Sequence, residues 1–287
     1  TTFKDVAIWG GEDADPPQYG KVFIAPALWT GYKLTESDVS GVDQFLKNKN
    51  IGAITTEVVN AEYNYVEITV NFMYSLRDTT KTAAELETIV KETVFAYNEE
   101  VLNTFEGILR YSKLLAKIDA ADPGIQSSVI SSRIYKVMDP NPLTPTDYVI
   151  GYPCEIYKTL DTDYVVTSSS FYIDNELAFI ADEPLDDGTY NRRLKFMDAA
   201  TGLVLPKYKD IGWVDVEKGK VYIENIRFDN TNPISIYVKP NTYDVAPKYN
   251  QIVRINENDI VANGKLDTVA EYNIAGFSGY TTFKRHE

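Results

Sequence analysis

Three residue types that often carry chemistry are scarce in this 287-residue chain, which has one cysteine, one histidine and three methionines. Cys154 has no second cysteine to bridge, so the sequence gives no support for an oxidising, disulfide-stapled fold; the thiol reads as a small apolar packing group. His286 stands almost at the chain end, where side chains are poorly held, which argues against a Ser-His-Asp site, a histidine acid/base pair or a histidine metal cage. No apolar run approaches the ~18 residues that cross a bilayer, and no charged-then-apolar leader opens the chain. Basic residues are outnumbered, 28 against 42 acidic, for a net charge of −14. Such a chain repels phosphate backbones, and Lys47/Lys49 and Arg192/Arg193 are too sparse for a nucleic-acid stripe. No glycine-rich phosphate loop occurs, since Gly10 and Gly11 lead into acids and prolines. These absences describe a soluble protein assembled in a reducing compartment, with no cofactor, nucleic acid or membrane partner. The chain opens on Thr1, and without an initiating methionine it reads as a piece of something longer.

The hydrophobic content of 44% suffices for two ordinary domains, each with its own core. Residues 1–19 read as an extended arm, because Gly10-Gly-Glu-Asp-Ala-Asp-Pro-Pro17 suits neither helix nor sheet. A strand follows over Lys21–Ala25. Thr35 with Asp38 forms a capping box that starts a helix running to about Lys49, and Ile51–Val59 reads as a strand. From Val66 to Leu76 apolar residues alternate with mostly polar ones, the mark of a strand with one buried face. Thr82 with Glu85 is a second capping box, followed by Leu86, Ile89, Val90, Val94, Tyr97 and Val101 at helical spacing. Unbroken to Ile118, that helix would be about 50 Å long. A break is therefore expected near Asn103, whose side chain would cap a new helix with Glu106. Asp122-Pro-Gly124 stops it, and Ser127–Met138 returns as a strand. Residues 20–139 thus give the order of a ferredoxin-like split βαβ sandwich with an enlarged helical connection.

Residues 140–147 carry prolines at a natural linker. From 148 to 287 the chain reads as short strands between turns: Tyr148–Tyr157, Phe171–Ile180, Leu194–Met197, Gly212–Val216, Val221–Phe228, Ile234–Val238 and Gln251–Ile255. An α+β chain ending in an all-β sandwich or barrel-like domain is expected. Three acidic clusters, Glu12/Asp13/Asp15, Asp182/Glu183 with Asp186/Asp187, and Glu257/Asp259, lack the spacing of a calcium loop and read as wet surface. Apolar surface is the positive signal. Phe105, Ile108, Leu109, Tyr111, Leu114, Leu115 and Ile118 exceed the ~100° stripe that one core contact requires. The surplus is buried either by the β domain or by another molecule. Trp9 and Trp29, flanking the acidic stretch, read first as local core residues, with interface anchoring as the lesser reading, and Tyr19 joins them among the candidate anchors.

Gly10-Gly-Glu-Asp-Ala-Asp-Pro-Pro-Gln-Tyr-Gly-Lys-Val-Phe-Ile24 resembles the segment that opens the C-terminal part of the baseplate wedge protein family of T-even-type phages, the product of gene six. Arg110–Asp119, Asp122–Ser128, Gly212–Val221 and Asp244–Gln251 look like later segments of the same family. The ferredoxin-like part is more distantly similar to the baseplate J-like group. The resemblance implies a structural component of a contractile tail and not an enzyme. It further implies dimers that join into a ring tying wedges around the hub, other wedge proteins as partners, and a place in the virion after assembly in the host cytoplasm. Two rivals from other classes stand beside it. A carbohydrate-binding module or two-carboxylate glycoside hydrolase would place stacked aromatics beside paired acids, and a calcium-stabilised adhesin would use the acidic clusters.

Overall fold

The computed structural model describes residues 3–14, 16–29, 33–47, 54–185, 187–229 and 231–268. His286, Asp15 and Asp186 lie outside the described residues. The protein is mixed α+β, mostly β-sheet, with three helices among the described residues. It divides into two compact units: residues 1–66, 101–109 and 133–254 form the first, and residues 67–100, 110–132 and 255–287 the second.

In the first unit a three-stranded sheet has the order β1-β2-β3, with β1 at Phe3–Gly10, β2 at Lys21–Leu28 and β3 at Thr55–Val58. β1 runs antiparallel to β2 in a register that pairs Trp9 with Phe23 and Ile8 with Ile24. The acidic, proline-bearing stretch is the connection between these strands. Its fold is set by one carbonyl, the Gly11 oxygen, which accepts hydrogen bonds from Ala14 N (3.2 Å) and Gln18 N (2.7 Å). A side chain at Gly11 would strike the Gln18 carbonyl, so glycine is required at this close approach. α1, Glu36–Lys47, follows β2. Its capping box is formed: Asp38 N donates to Thr35 Oγ1 (3.2 Å) and Thr35 N to Asp38 Oδ2 (3.0 Å). β3 then lies parallel to β2.

Ten strands form the larger path, in the order β14-β4-β5-β13-β7-β9-β10-β11-β12-β6, of which β4 and β5 have residues in both units. Their ranges are β4 Glu62–Tyr74, β5 Ile125–Met138, β6 Thr146–Gly151, β7 Val166–Ser168, β9 Glu176–Pro184, β10 Arg192–Asp198, β11 Gly212–Asp215, β12 Lys220–Ile226, β13 Ile234–Val238 and β14 Gln251–Arg254. β8, Phe171–Ile173, pairs with β9 as a side hairpin. The ferredoxin-like arrangement expected of residues 20–139 is not formed. β2 pairs with β1 and β3 in the small sheet, whereas β4 and β5 enter the large one. The order of elements was met while their pairing was not, because strand partners at long separation are chosen by burial that no local pattern encodes.

One ion pair sits fully inside the first unit. Arg192 and Asp182 are both 0% exposed, and the guanidinium satisfies its N–H groups on Asp182 Oδ2 and on the carbonyls of Thr159, Asp161 and Asp163. The other Asp182 oxygen accepts Val165 N (2.9 Å) and Val166 N (3.0 Å). Asp182 is therefore core and not the wet surface its acidic neighbourhood suggests, and Glu183 pairs with Lys195 (2.6 Å). Burial pushes the Asp182 carboxyl above its ordinary value, against the opposing pull of Arg192 and the two backbone N–H groups.

In the second unit, β4 residues Ile68, Val70 and Phe72 are buried, as are Leu86, Val90, Val94 and Tyr97 of α2, Ala83–Val101. β15, Ile260–Leu266, runs parallel to β4 over Ile68–Tyr74. The second capping box is also present, with Glu85 N on Thr82 Oγ1 (3.4 Å) and Thr82 N on Glu85 Oε2 (2.7 Å). The break after α2 occurs as expected, but Asn103 does not cap a helix. It takes a positive φ of 60° and leads into irregular chain. α3 starts only at Tyr111 and ends at Asp119, with Arg110 before it and no side-chain cap. The turn at Asp122 is held by its buried carboxylate, which takes Gly124 N (2.8 Å) and the Lys81 ammonium. Burial pushes that carboxyl up, but the Lys81, Gly124 and Thr79 hydrogen bonds outweigh it and hold it below the usual range.

Two predictions follow from these buried carboxylates. Arg192→Met, which strands Asp182 and three carbonyls, is expected to lower unfolding stability by about 3–5 kcal/mol in urea titration. A depressed folded-state pKa at Asp122 stabilises the turn above the ordinary aspartate value of about 3.9, and that contribution is lost as pH falls through the folded value. The acid arm of a pH–stability profile should therefore flatten in Asp122→Asn, and an unchanged profile would show that the turn does not depend on this charge.

Candidate self-association surfaces

The seven apolar residues from Phe105 to Ile118 do not share one helix. Phe105, Ile108 and Leu109 belong to the irregular segment in the first unit, while Tyr111, Leu114, Leu115 and Ile118 lie on α3 in the second. Leu109 is buried, and a backbone bridge ties it to Val245 through Leu109 N on Val245 O (2.9 Å) and Val245 N on Leu109 O (3.0 Å). Phe105 N donates to Asp5 Oδ2 (2.9 Å), which anchors this segment to β1. On α3, Leu114 and Ile118 are buried, and Tyr111 and Leu115 are half-buried. None of the seven is exposed, so the surplus apolar surface read from the sequence is covered in large part by the chain itself.

Trp9 is half-buried and stacks on Phe23, with ring centroids 5.4 Å apart and 21° between planes; Tyr249 lies 6.0 Å away on the same cluster. Local core is its role in this chain. Tyr19 and Trp29 behave differently. Tyr19, on the acidic connection, is 82% exposed, and Trp29, just past β2, is 67% exposed.

A further apolar surface carries no signal in the sequence. α1 lies over Ile24 and Pro26 of β2 but leaves an apolar cavity of about 460 Å³ along β1. Ile8 (66% exposed), Phe45 (62%) and Val6 (46%) line it. Val6 and Ile8 alternate on β1 with half-buried Ala7 and Trp9, so the strand points one apolar face inward and the other toward this cavity. A periodicity search overlooks β1 because a strand that is apolar on both faces shows no alternation.

The acids beside aromatic rings do not form a free catalytic pair. Tyr63, Tyr65, Tyr135 and Tyr237 make a ladder at spacings of 6.2, 5.1 and 5.0 Å, closed by the Arg133 guanidinium 4.9 Å from the Tyr237 ring. The nearby carboxylates are neutralised by lysines, Glu62 by Lys136 and Asp139 by Lys33, each at 2.6 Å. Glu257–Asp259 is a short helical turn leading into β15, with Asn256 Nδ2 donating to Asp259 Oδ2 (2.9 Å). Among the described residues no group of three or more histidine, cysteine or acidic side chains is placed to hold a metal.

Residues 1–59 match the family described as baseplate structural protein gp6, C-terminal domain I, and residues 62–136 match the one described as baseplate structural protein gp6, C-terminal domain III. Baseplate wedge protein gp6 of Enterobacteria phage T4 is 25% identical over 114 residues, a stretch covering 40% of this chain and 17% of that relative's length. The two family matches follow one another in chain order and meet at the turn between β3 and β4.

Cys154 remains as the one nucleophile of note. Burial pushes its thiol up to about 11; Lys248 pulls it down and Glu155 adds to the rise. At pH 8 about one thiol in a thousand is then ionised, against about a quarter for a free cysteine. Alkylation by iodoacetamide is accordingly expected to be more than tenfold slower in the native chain than in urea, and equal rates would place the thiol at the surface.

Proposed function

We propose that this chain, whose residues 1–59 and 62–136 match two C-terminal domains of the baseplate structural protein gp6, is a structural component of a contractile tail baseplate, working by self-association. In this reading copies pair as dimers, the dimers join into a ring around the central hub, and other wedge proteins attach to that ring. The observation that carries it is the pair of consecutive family matches. The surface chemistry supports it. A ring that must change shape without falling apart needs broad adhesive contacts more than any reactive group.

The contact we assign to self-association is the exposed apolar strip of the first unit: Val6, Ile8 and Phe45 around the β1–α1 cavity, with Trp29 and Tyr19 as outlying anchors. Exposed aromatic and branched aliphatic side chains clustered around a concavity are the usual composition of an interface centre. The α3 residues Tyr111 and Leu115 keep a share of exposed surface and are assigned a secondary role, since Leu114 and Ile118 are already spent on the chain's own core.

Light scattering at tens of micromolar should give a dimer or larger species for the parent chain. Ile8→Asp combined with Phe45→Asp places two charges in the strip without disturbing a buried residue, and is expected to yield a monomer with an unchanged melting temperature. A parent chain that stays monomeric at that concentration would sink the self-association reading while leaving the family membership intact.

A further inference from the structure

We propose that the free edge of β6 is a docking site for one extended segment of a different baseplate protein, which adds to the sheet as an extra strand. This inference rests on the baseplate reading above but concerns a surface that reading does not use. β6 is the last strand of the ten-strand path and, among the described residues, pairs with β12 alone. A cleft of about 930 Å³ runs along it, lined by five consecutive residues, Asp147–Gly151. Alternate side chains of a strand point to opposite faces, so a cleft that touches five in a row meets the strand at its edge and not on a face.

The backbone alternation shows what that edge offers. Tyr152 N donates to Gly219 O (2.8 Å), and the antiparallel register continues from Gly151↔Lys220 through Ile150↔Val221 to Tyr148↔Ile223. In such a ladder, residues alternate between turning N–H and C=O toward the partner and turning them away. Tyr152, Ile150 and Tyr148 therefore face β12. Val149 and Gly151 direct their backbone groups away from β12, toward the cleft, and no other strand among the described residues takes them. A side chain built at Gly151 would meet nothing within 4 Å, so the space beside it is open.

The far wall is formed by Lys136–Asp139 at the end of β5 and Asn60–Tyr63 at the start of β4. One strand about 17 Å long spans the five residues, and a second copy would bring its own net charge of −14 toward the acidic Asp147. Val149 and Val137, 60% and 47% exposed, offer apolar contact to alternate residues of the segment. The carbonyl oxygen of the Gln251 side chain, buried at the lining and without a hydrogen-bond partner, accepts one N–H. Glu62 and Asp139 are already paired with lysines. Asp147 carries the remaining charge of the lining and selects a basic residue beside its own position. The partner segment is thus extended, apolar at alternating positions and cationic at one end.

Hydrogen exchange read by mass spectrometry over residues 147–151 tests this, on the purified chain and on baseplates containing it. Exchange is expected to slow by at least about tenfold in baseplates and to be independent of concentration in the chain alone. Val149→Pro removes an outward N–H and no bond to β12, a substitution edge strands tolerate. This variant should melt with the parent and fail to enter baseplates. Unslowed exchange in baseplates, or parental incorporation of Val149→Pro, overturns the inference alone. Slowing in the isolated chain as concentration rises would give the edge to a second copy and overturn the choice of occupant. Absence of the chain from purified baseplates would overturn the functional reading and this inference with it.

Discussion

Every backbone N–H and C=O taken out of water must find a partner, and strand-to-strand pairing along a ten-membered path meets much of that requirement. A path this long cannot stay flat, because each strand is rotated against the last. It must also be interrupted often, and the interruptions fall on residues that tolerate left-handed backbone. The β8–β9 hairpin turns on Asp174 and Asn175 (φ 50° and 63°), and the β11–β12 hairpin on Gly219 (φ 66°). At Gly219 a side chain would run into the carbonyl of Cys154, so the turn and the β6 side of the sheet are locked together through a position that only glycine fills.

The same requirement explains the buried Arg192. The chain from Thr159 to Asp163 has no strand partners of its own, and three of its carbonyls turn to the buried guanidinium. A guanidinium carries five donors in a fixed fork, enough to satisfy those carbonyls and a carboxylate together. Asp182 supplies the countercharge and spends its other oxygen on the N–H groups that begin β7. The pair therefore replaces a stretch of missing sheet and is not an isolated electrostatic ornament.

Local signals in the sequence were legible where the physics is local. Both capping boxes formed, because a hydroxyl and a carboxylate three residues apart solve the helix-start problem by themselves. The alternation from Val66 to Phe72 delivered a buried face, and the helical spacing after Thr82 delivered α2. Pairings were not legible. Phe171–Ile180 read as one strand because Asp-Asn is a less familiar hairpin turn than Asn-Gly. β15 was missed because Ala262-Asn-Gly264 breaks its apolar pattern, and Gly264 is needed where a side chain would press on the Phe72 ring. The apolar surplus between Phe105 and Ile118 was real, but it was read as one helix face, whereas the helix begins only at Tyr111 and the stretch divides between the two units after Leu109. Trp29, read from the sequence as a possible anchor, is exposed, whereas Trp9 found Phe23 across a register that only the folded sheet reveals.

Edges decide what a β-rich protein can join. β1 bears charged Lys4 and Asp5 and a register shift between Phe3 and Asp5, both devices that discourage a foreign strand. Phe105 N, donating to Asp5, ties neighbouring chain across that same end. β3 is only four residues long. β14 has the carbonyl of Val253 occupied by Asn103 N (2.9 Å). β6 differs from all of these: the irregularity in its ladder lies near Ile226, at the end away from Val149 and Gly151, and the chain leaves a cleft beside those two residues and not a covering segment. Among the described residues, the edges of β1, β3 and β14 are blunted while that of β6 stands open beside a cleft with an apolar rim, which shapes it for addition at that place. A structural component with one surface for its own kind and a separate edge for a different partner can hold both contacts at once, since neither uses residues that the other requires.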